Sequence, residues 1–442
     1  MMLICVCVCV CVCVCARFSL HSMLSDVGGH PRALEIFLQE CVIELGRQPA
    51  QAAPSVAPGS LESVGFADLT DRVIAAINNK YEVASLHADI VAAVVIAAVL
   101  QELVDLTTAA HPAHAEWTYR KLNDKGYLVL EAIPGGVTFR VRMPFLWLLV
   151  YLRRMAGLQH PLHAAFQPLR QFMDAGQAFW WQEWEDFNCQ FLAFRINLLK
   201  LKHALLPAMM PSNQVSVAEL FKGALVAPDI AARPVLLPPA FVTAEAASGA
   251  LSQRFPADAQ PKKDDGQPIP WDSGTAVVRN VAGGAADHFF VLLSPAAAAA
   301  AVPAAATLPS LVNCQDKYTE RGDAFTAAQL QEEYDKCKAS VAPARFSRAA
   351  EFGFMFALFA NRPAAADLDG SSLPPHSVAV LADQCSSFYG DTFVERAKFA
   401  STMMGQAQST DCNLLKLRAS SQALWLIHVC VCVCVCVCCR AV

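Results

Sequence analysis

Apolar positions in the first part of the chain recur with the period of α-helices. Between residues 66 and 108 they return every three or four positions, most clearly in "LHADIVAAVVIAAVLQELVDL". Residues 24–45 form a Gly-Gly turn followed by another such pattern, in which Pro31 suits the first helical turn. The stretch 46–63 is rich in Pro, Ala and Ser and predicts a linker between these helical parts.

Residues 117–155 predict a short helix, a β-hairpin and a further helix. The short helix ends near Gly126, and "YLVLEA" and "VTFRVRM" then alternate around the turn "IPGG". Helices followed by a hairpin and another helix are the order of a winged-helix module, which we place at residues 60–155. Because its charges are mixed, we predict that it serves as a lid, as in multidomain ATPases; binding of DNA is the alternative.

The stretch 165–206 is also helical and is rich in aromatic residues. Its aromatic side chains recur at roughly helical spacing, which is typical of a helix face buried in a core. The residues concerned are Trp180, Trp181, Trp184 and Phe187. We therefore expect packing from this face, not the binding of a ligand.

Beyond residue 216 the pattern is that of an α/β fold. Strand-like segments precede a helix in which Thr326 and Gln329 form a capping box, and further strands and a closing helix follow. We predict the α/β class, with a mostly helical winged-helix region followed by a mixed-sheet α/β domain over residues 165–405. The Ala-Pro run 295–309 predicts a low-complexity loop.

Composition and charge describe a globular chain without a global attraction to nucleic acid. The 442 residues are 55% hydrophobic and 17% charged, which predicts about two or three domains with cores of their own. The net charge of −5 excludes a strongly basic surface overall. A local basic site remains compatible with this balance, because a nuclease needs positive charge only where the phosphate lies.

Most of the 18 cysteines lie in two tracts of strict Cys-Val alternation, residues 5–15 and 430–439. A TG dinucleotide repeat encodes this alternation, so we interpret both tracts as translated repeat DNA outside the fold. A signal peptide is the second interpretation of the first tract, although a basic start is lacking. A membrane anchor is the third, but the tract is shorter than the roughly 20 residues of a span. The other six cysteines lack metal-ligand spacing and are expected to be reduced core residues.

Three polar residues at predicted strand ends are candidates for phosphodiester chemistry. Asp287 opens one strand-like segment, and Gln315 and Lys317 close the next. Side chains two positions apart on a strand share a face, so Gln315 and Lys317 lie together while Asp316 faces the other way. Oxygen ligands suit Mg²⁺, and a neighbouring lysine orients water or stabilises the phosphate. A turn aspartate and a solvated lysine are the competing interpretation, since this spacing is common by chance.

The order of several segments resembles the Crinkler and retrotransposon-hot-spot group of eukaryotic effectors. In that group a P-loop NTPase of the STAND/AAA type and its winged-helix lid precede a restriction-endonuclease-like nuclease of the PD-(D/E)xK type. Besides the predicted winged helix, the matching segments are "DVGGHPRALE" (26–35), "WEDFN" with "FRINLL" (184–199), "AELFKGA" (218–224), "GTAVVRNVAGGAADHFF" (274–290), "CQDKY" (314–318), "QLQEEYDKCK" (329–338) and "FYGDTFVERAKFAS" (388–401).

The resemblance implies a division of the chain into domains. The parts are a Cys-Val repeat (1–19), the end of an NTPase domain (20–50), a winged-helix lid (60–155), a nuclease-like domain (165–405) and a tail with the second repeat (410–442). The NTPase remnant consists of Gly28, Gly29, Pro31 and Arg32, which match the Gly-x-Pro segment of such modules. No G-x-x-x-x-G-K-[ST] motif occurs, so we do not expect NTP hydrolysis by this chain.

The resemblance also implies roles for individual residues. The catalytic positions are Asp287, Gln315 and Lys317, and the Mg²⁺ ligands are Asp287, Gln315 and Glu185. Asn188 stands where the family carries an acidic residue. Glu185 lies one turn earlier on the same helix face and partly replaces it, and Glu333 is a further carboxylate. Because Gln315 and Asn188 bring no charge, we expect a weakened site.

The expected function is therefore that of a Crinkler-like effector fragment with a weakened Mg²⁺-dependent DNA nuclease. A degraded effector or pseudogene product that binds host protein or DNA is the alternative, and a winged-helix DNA-binding or scaffold protein is the third. DNA and host nuclear proteins are the implied partners; no small-molecule substrate or membrane partner is indicated. The resemblance implies secretion and a host-nuclear destination, and it leaves open whether the substrate is DNA or RNA.

Overall fold

The computed structural model describes most of the chain between residues 31 and 407. The described ranges are 31–47, 66–174, 181–206, 213–238, 240–245, 270–280, 284–295, 308–319 and 323–407. Both Cys-Val tracts, the tail from residue 410, Gly28, Gly29, Trp180, Cys412, most of the linker and most of the Ala-Pro run lie outside them. Pro31 begins the first helix, as predicted.

Helices dominate the first half of the described chain. The helices, numbered in chain order, are α1 (Pro31–Arg47), α2 (Phe66–Tyr81), α3 (Ala88–Val99), α4 (Tyr119–Asp124), α5 (Phe145–Gly157), α6 (Pro161–Asp174), α7 (Trp181–Leu205), α8 (Val217–Leu220), α9 (Pro228–Ala231), α10 (Ala327–Ser340) and α11 (Ala382–Ala407). Ten residues of α3 are fully buried, which explains its almost uninterrupted apolar sequence. No helix within the described ranges is long and apolar enough to cross a membrane.

The predicted hairpin is present and belongs to a small antiparallel sheet. Its strands are β1 (Leu103–Val104), β2 (Val129–Ala132) and β3 (Phe139–Arg142), in the order β1-β3-β2. Helix α4 precedes the hairpin, and the Thr118 hydroxyl caps it by accepting from the Lys121 N–H at 3.2 Å. The chain leaves this helix through Gly126, whose φ of +77° lies in the left-handed region that favours glycine.

The second half of the chain builds a seven-stranded mixed sheet. Its strands are β5 (Leu225–Val226), β7 (Val242–Glu245), β8 (Ala276–Arg279), β9 (His288–Leu292), β10 (Ser310–Lys317), β11 (Gly353–Ala360) and β12 (Ser377–Val380); β4 (Gln214–Ser216) and β6 (Pro234–Leu236) pair separately. The order is β5-β12-β11-β10-β9-β8-β7. Strands β8, β9 and β10 form an antiparallel meander, and β11 runs parallel to β10. The α/β class is confirmed by this sheet.

Two helices flank the central strands. Helix α7 packs on β7, β8 and β10, and α10 packs on β11. After α7 the chain forms β4 to β7 with α8 and α9, and then β8, β9, β10, α10 and β11, so that α10 is the crossover between the parallel pair β10 and β11. The capping box of Thr326 and Gln329 at the start of α10 is present as predicted. Trp184 and Phe187 are buried in the core, which confirms the core role of these two aromatic residues.

One apolar core joins the helical region to the sheet region. A single cluster of buried side chains extends from Ala33 to Val394, and helix α3 packs against both α7 and α11. Polar contacts reinforce this junction: Arg142 pairs with Asp391 at 2.9 Å, and the Thr392 hydroxyl donates to the Met143 carbonyl at 2.6 Å. The residues predicted to form the lid and the nuclease-like domain therefore share a core.

A buried arginine fixes the position of α11 relative to α7. The Arg195 guanidinium on α7 donates to the carbonyls of Leu220, Lys222 and Phe388 at 2.7 to 3.0 Å. Gly223 follows Lys222 and contacts α11 closely. Its φ is +95°, and an added Cβ would stand 2.2 Å from the Ser387 carbonyl oxygen. The backbone approach at this position requires glycine.

Candidate functional site

Asp287 is placed by backbone contacts across two neighbouring strands. It directly precedes β9, and its N–H donates to the Cys314 carbonyl on β10 at 2.8 Å. One carboxylate oxygen, Oδ2, accepts from the Asp316 N–H at 2.6 Å. This half-buried side chain is therefore held against the carboxyl end of β10, where Gln315 and Lys317 were predicted to lie.

The last residues of β10 alternate between two helices. Lys317 Nζ lies 3.0 Å from Glu333 Oε1 on α10, and Gln315 Oε1 accepts from Lys336 Nζ at 3.3 Å on the same helix. Asp316 points instead toward α7, where its Oδ1 accepts from Asn188 Nδ2 at 2.6 Å. The predicted opposition of Asp316 to its two neighbours is confirmed, because side chains on a strand alternate between the two faces of the sheet.

Glu185 and Asp287 are linked electrostatically although they come from distant parts of the chain. Burial, together with the charges of Asp287 and Asp316, raises the pKa of Glu185 to about 8, against the lowering effect of His288. Burial and the Asp316 charge likewise raise the pKa of Asp287 to about 6, against the lowering effects of the Asp316 N–H, Lys317 and His288. Both carboxyl groups hold their protons more tightly than in water. A cation placed between them would reverse this effect.

Both polar atoms of the Asn188 amide are hydrogen-bonded within the protein. Its Nδ2 donates to Asp316, and its Oδ1 accepts from the Tyr389 hydroxyl at 2.5 Å. The side chain is buried, with only 1% exposure. An amide held in this way supplies no charge to a metal site, and its oxygen is already an acceptor. Asn188 is therefore a structural link between α7, β10 and α11.

Gln315 is also engaged by the surrounding protein. It is fully buried; its Nε2 donates to the Ala285 carbonyl at 2.8 Å, and its Oε1 faces Lys336. The carbonyl oxygen keeps a second lone pair, so it remains a neutral acceptor next to Asp287. Glu333 contacts Lys317 and, at 3.6 Å, Lys336, which makes it the counter-ion of these two lysines.

A buried layer that the sequence analysis did not identify lies behind Asp287. His288 Nδ1 lies 2.7 Å from Asp316 Oδ2, and both side chains are fully buried. Burial lowers the pKa of His288, whereas the charge of Asp316 and the hydrogen bond to it raise this pKa, and the net direction is well upward. His288 therefore balances the buried Asp316 charge. The signal available in the sequence was strand alternation, since His288 pairs directly with Cys314 and both share a face with Asp316.

The cysteines of the fold behave as expected of core residues. Cys41, Cys189, Cys314, Cys337 and Cys385 are free and buried. Burial raises the pKa of the Cys189 thiol to about 11, and it raises the pKa of the Cys314 thiol as well. These groups are therefore neutral near pH 7, and neither is a thiolate nucleophile. The prediction of reduced core cysteines is confirmed for the five that the structure describes.

Glu185 and Asp287 are the carboxylates that a Mg²⁺ ion at this edge of the sheet would use. Mg²⁺ is usually held by one or two carboxylates and completes its shell with water and phosphate oxygens. Glu185 and Asp287 would supply those carboxylates, and a cation would offset both the burial and the repulsion by Asp287 that raise the pKa of Glu185. Gln315 would add a neutral oxygen. Neither Asn188 nor Glu333 adds a free carboxylate to this pair. The Asn188 amide bonds to Asp316 and Tyr389, and Glu333 pairs with Lys317 and Lys336.

Comparisons with known proteins add no family to this description. Neither a scan against protein-family models nor searches of the curated proteins and of the solved structures found a significant match to the chain.

Proposed function

We propose that the chain is a Crinkler-like effector fragment whose sheet domain hydrolyses nucleic-acid phosphodiester bonds slowly in the presence of Mg²⁺. The observation that carries this proposal is the pair Glu185 and Asp287, two carboxyl groups of raised pKa, with Lys317 close enough to lower the pKa of Asp287. The alternation at the end of β10 supports it, because Gln315 and Lys317 face α10 together while Asp316 faces α7.

The residues of the chain would divide the work in a simple way. Glu185 and Asp287 would hold the ion, which supplies Lewis-acid stabilisation of the phosphate when it is bound. The Asp316 N–H, 2.6 Å from Asp287 Oδ2, orients that carboxylate. Lys317 would stabilise the negative charge of the phosphate or orient the attacking water, after exchanging its contact with Glu333 for one with the substrate.

Two features explain why the proposed activity is slow. Asn188 and Gln315 bring amides to positions where a charged pair of ligands would bind Mg²⁺ more strongly. Both amides are buried and hydrogen-bonded, so neither rearranges without breaking contacts in the core. The site thus retains about the minimum number of carboxylates that Mg²⁺ uses in proteins.

The hydrogen-bonded amide of Asn188 also favours a second candidate function, that of an effector that binds host protein or DNA without cleaving it. The bond from Tyr389 to Asn188 and the bond from Asn188 to Asp316 connect α11, α7 and β10. In this alternative the former catalytic face has become part of the core. The partners, DNA or host nuclear proteins, and a destination in the host nucleus after secretion rest on the resemblance alone.

We further propose that residues 66–157 are a winged-helix module that acts as a lid. Helices α2, α3 and α4, the hairpin of β2 and β3, and helix α5 have the expected order, and β1 completes the small sheet. The apolar core shared with α7 and α11 favours a fixed structural role over independent reading of DNA.

The nuclease proposal is tested with the purified full chain, supercoiled plasmid DNA and structured RNA. We expect slow nicking with Mg²⁺ that EDTA abolishes and that Asp287→Asn and Lys317→Ala each reduce by at least about tenfold. Lys338→Ala is the matched control, because this exposed lysine on α10 lies over the Tyr334 ring, away from Glu333.

Three results decide between the candidates. Rapid digestion that depends on Lys317 would support a nuclease at this site and would contradict the proposal that its activity is weakened. Nicking that persists in both Asp287→Asn and Lys317→Ala would remove this site from the reaction. Absence of Mg²⁺-dependent nicking, together with binding of DNA or of host protein, would favour the second candidate.

A further inference from the structure

Four imidazole rings and one carboxylate gather where the helical region meets the end of α7. His87 is the N-terminal cap of α3, and Asp89 lies in the first turn of that helix. His111 is the N-terminal cap of a short 3₁₀ turn before α4, and His114 is the last residue of that turn. The rings of His87 and His114 stack with centroids 4.1 Å apart, and His160 is close enough for Asp89 to raise its pKa, although burial lowers that pKa more strongly.

Three of these residues place potential ligand atoms close together. One atom each from Asp89, His111 and His114 lies within 4.8 Å of the other two, and within the described ranges no other three His, Cys, Asp or Glu residues do so. Asp89 Oδ2 and His114 Nε2 are 3.8 Å apart, which is too far for a hydrogen bond. Two ligands on one tetrahedral ion at about 2.0–2.1 Å stand about 3.3 Å apart. Small side-chain movements would therefore close the group around an ion.

The surroundings of His111 determine which ring nitrogen carries the lone pair. Its Nε2 lies 3.2 Å from the Leu205 carbonyl oxygen, at the last residue of α7. A carbonyl only accepts, so Nε2 carries the hydrogen and Nδ1 carries the lone pair. Nδ1 accepts the Ala113 N–H at 3.2 Å, so a metal would take this lone pair in place of that hydrogen bond. Metal-binding histidines commonly donate their second nitrogen to a carbonyl in this manner, which fixes the ring orientation.

The ligand types indicate the class of ion. Two imidazoles and one carboxylate suit Zn²⁺ and related divalent transition metals, whereas Mg²⁺ and Ca²⁺ prefer oxygen ligands only. His111 is 8% exposed, while the side chains of His114 and Asp89 are 17% and 45% exposed. The group therefore has a buried anchor and an open side, through which an ion enters and a water or His87 completes four ligands.

We propose that Asp89, His111 and His114 form a Zn²⁺-type site that joins the N-terminus of α3 to the turn before α4. Through the bond from His111 to Leu205, the same site is attached to the carboxyl end of α7. The bound ion stabilises the junction between the helical region and the sheet region. This site is separate from the carboxylates of the proposed nuclease and does not depend on that proposal.

The test uses the full chain, with accessible thiols alkylated under native conditions so that cysteines do not compete for the ion. The chain is stripped of metal and titrated with Co²⁺, whose absorption distinguishes nitrogen and oxygen ligands from thiolates, and Zn²⁺ is then titrated by calorimetry. We expect one ion per chain at this site and a higher Tm with Zn²⁺. Asp89→Asn and His114→Ala should each weaken binding by at least about tenfold.

The variants in this test change partly exposed residues, so that the protein should still fold. His376→Ala removes an exposed histidine that pairs with Asp229 at 2.6 Å, and it should leave affinity unchanged. Unchanged stoichiometry and affinity in both ligand variants would overturn the proposal, as would cobalt spectra with thiolate bands alone. If His114→Ala does not fold, as judged by circular dichroism, Asp89→Asn decides the outcome because it preserves the shape of the side chain.

Discussion

The Asn188 side chain donates to the Asp316 carboxylate at 2.6 Å, from α7 to β10 across 128 positions of sequence. The family resemblance calls for an acidic residue at position 188, and Asp316 already carries a buried negative charge beside it. An acid at both positions would place like charges within hydrogen-bond distance in the core. The amide at 188 therefore stabilises the fold at the place where it removes charge from the proposed catalytic site.

Asn188→Asp is expected to destabilise the protein. The change replaces a donor with a carboxylate next to Asp316, so we expect the free energy of unfolding at pH 7 in EDTA to fall by about 1–3 kcal/mol. Under the proposed function, Mg²⁺ should restore part of this loss and increase nicking. Urea unfolding with EDTA or Mg²⁺ measures the effect. Asn188→Ala is the control, because it loses the same bond without adding a ligand and should not respond to Mg²⁺.

Glu185→Gln is expected to stabilise the protein increasingly as pH rises above about 4.5. Burial and the neighbouring charges raise the pKa of Glu185 from 4.5 to about 8, so the folded state binds this proton more tightly than the unfolded state. Stability contributed by the proton consequently decreases as pH rises between these two values. After allowance for solvent screening, we expect a gain of about 1 kcal/mol at pH 8.

Urea unfolding at pH 4 and pH 8 measures this gain. At pH 4 both the wild type and Glu185→Gln carry a neutral side chain, so their stabilities should be close. Glu332→Gln changes an exposed glutamate on α10 and should show no such pH dependence. An equal effect of Glu185→Gln at the two pH values would show that Glu185 is not electrostatically strained.

His288→Gln is expected to cost about 3–5 kcal/mol of stability, because it leaves the buried Asp316 carboxylate without its charged partner. The folded pKa of His288 lies well above its usual 6.5, so the stabilisation is fully present below about pH 6.5. It is lost as pH rises through the folded pKa. The difference from wild type, measured by urea unfolding, should therefore shrink at alkaline pH.

The exposed pair His376 and Asp229 supplies the comparison for His288. Its contact is equally short, at 2.6 Å, but the two side chains are 50% and 39% exposed. His376→Ala should cost less than about 1 kcal/mol, as surface ion pairs usually do. Similar losses for the two histidine variants would contradict the assignment of a buried charge pair to His288 and Asp316.

Gly223→Ala is expected to destabilise the junction of α7 and α11 by about 2–4 kcal/mol. Its φ is +95°, and the new Cβ would stand 2.2 Å from a carbonyl oxygen of Ser387, so the backbone has to move. Thermal unfolding followed by circular dichroism measures the loss. Gly157→Ala is the matched control, since no atom lies within 4 Å of its added Cβ, and its Tm should stay close to that of wild type.

Local patterns determined several elements of this protein directly from the sequence. The hairpin of β2 and β3, the capping box at Thr326 and Gln329, and the opposition of Asp316 to Lys317 were predicted and are present. Each depends on neighbours within a few residues, where turn chemistry, capping and strand alternation act. The α/β class followed in the same way from the change of period near residue 216.

Only the tertiary structure decided which polar groups meet. Asp316 gains His288 from β9 and Asn188 from α7, while Asp89 gains His111 and His114 from a turn that follows the intervening β1. Charges and lone pairs act over a few ångströms, and sequence periodicity carries no information about contacts between distant segments. The sequence thus determined the faces of helices and strands, and packing of those faces decided the electrostatics of both sites.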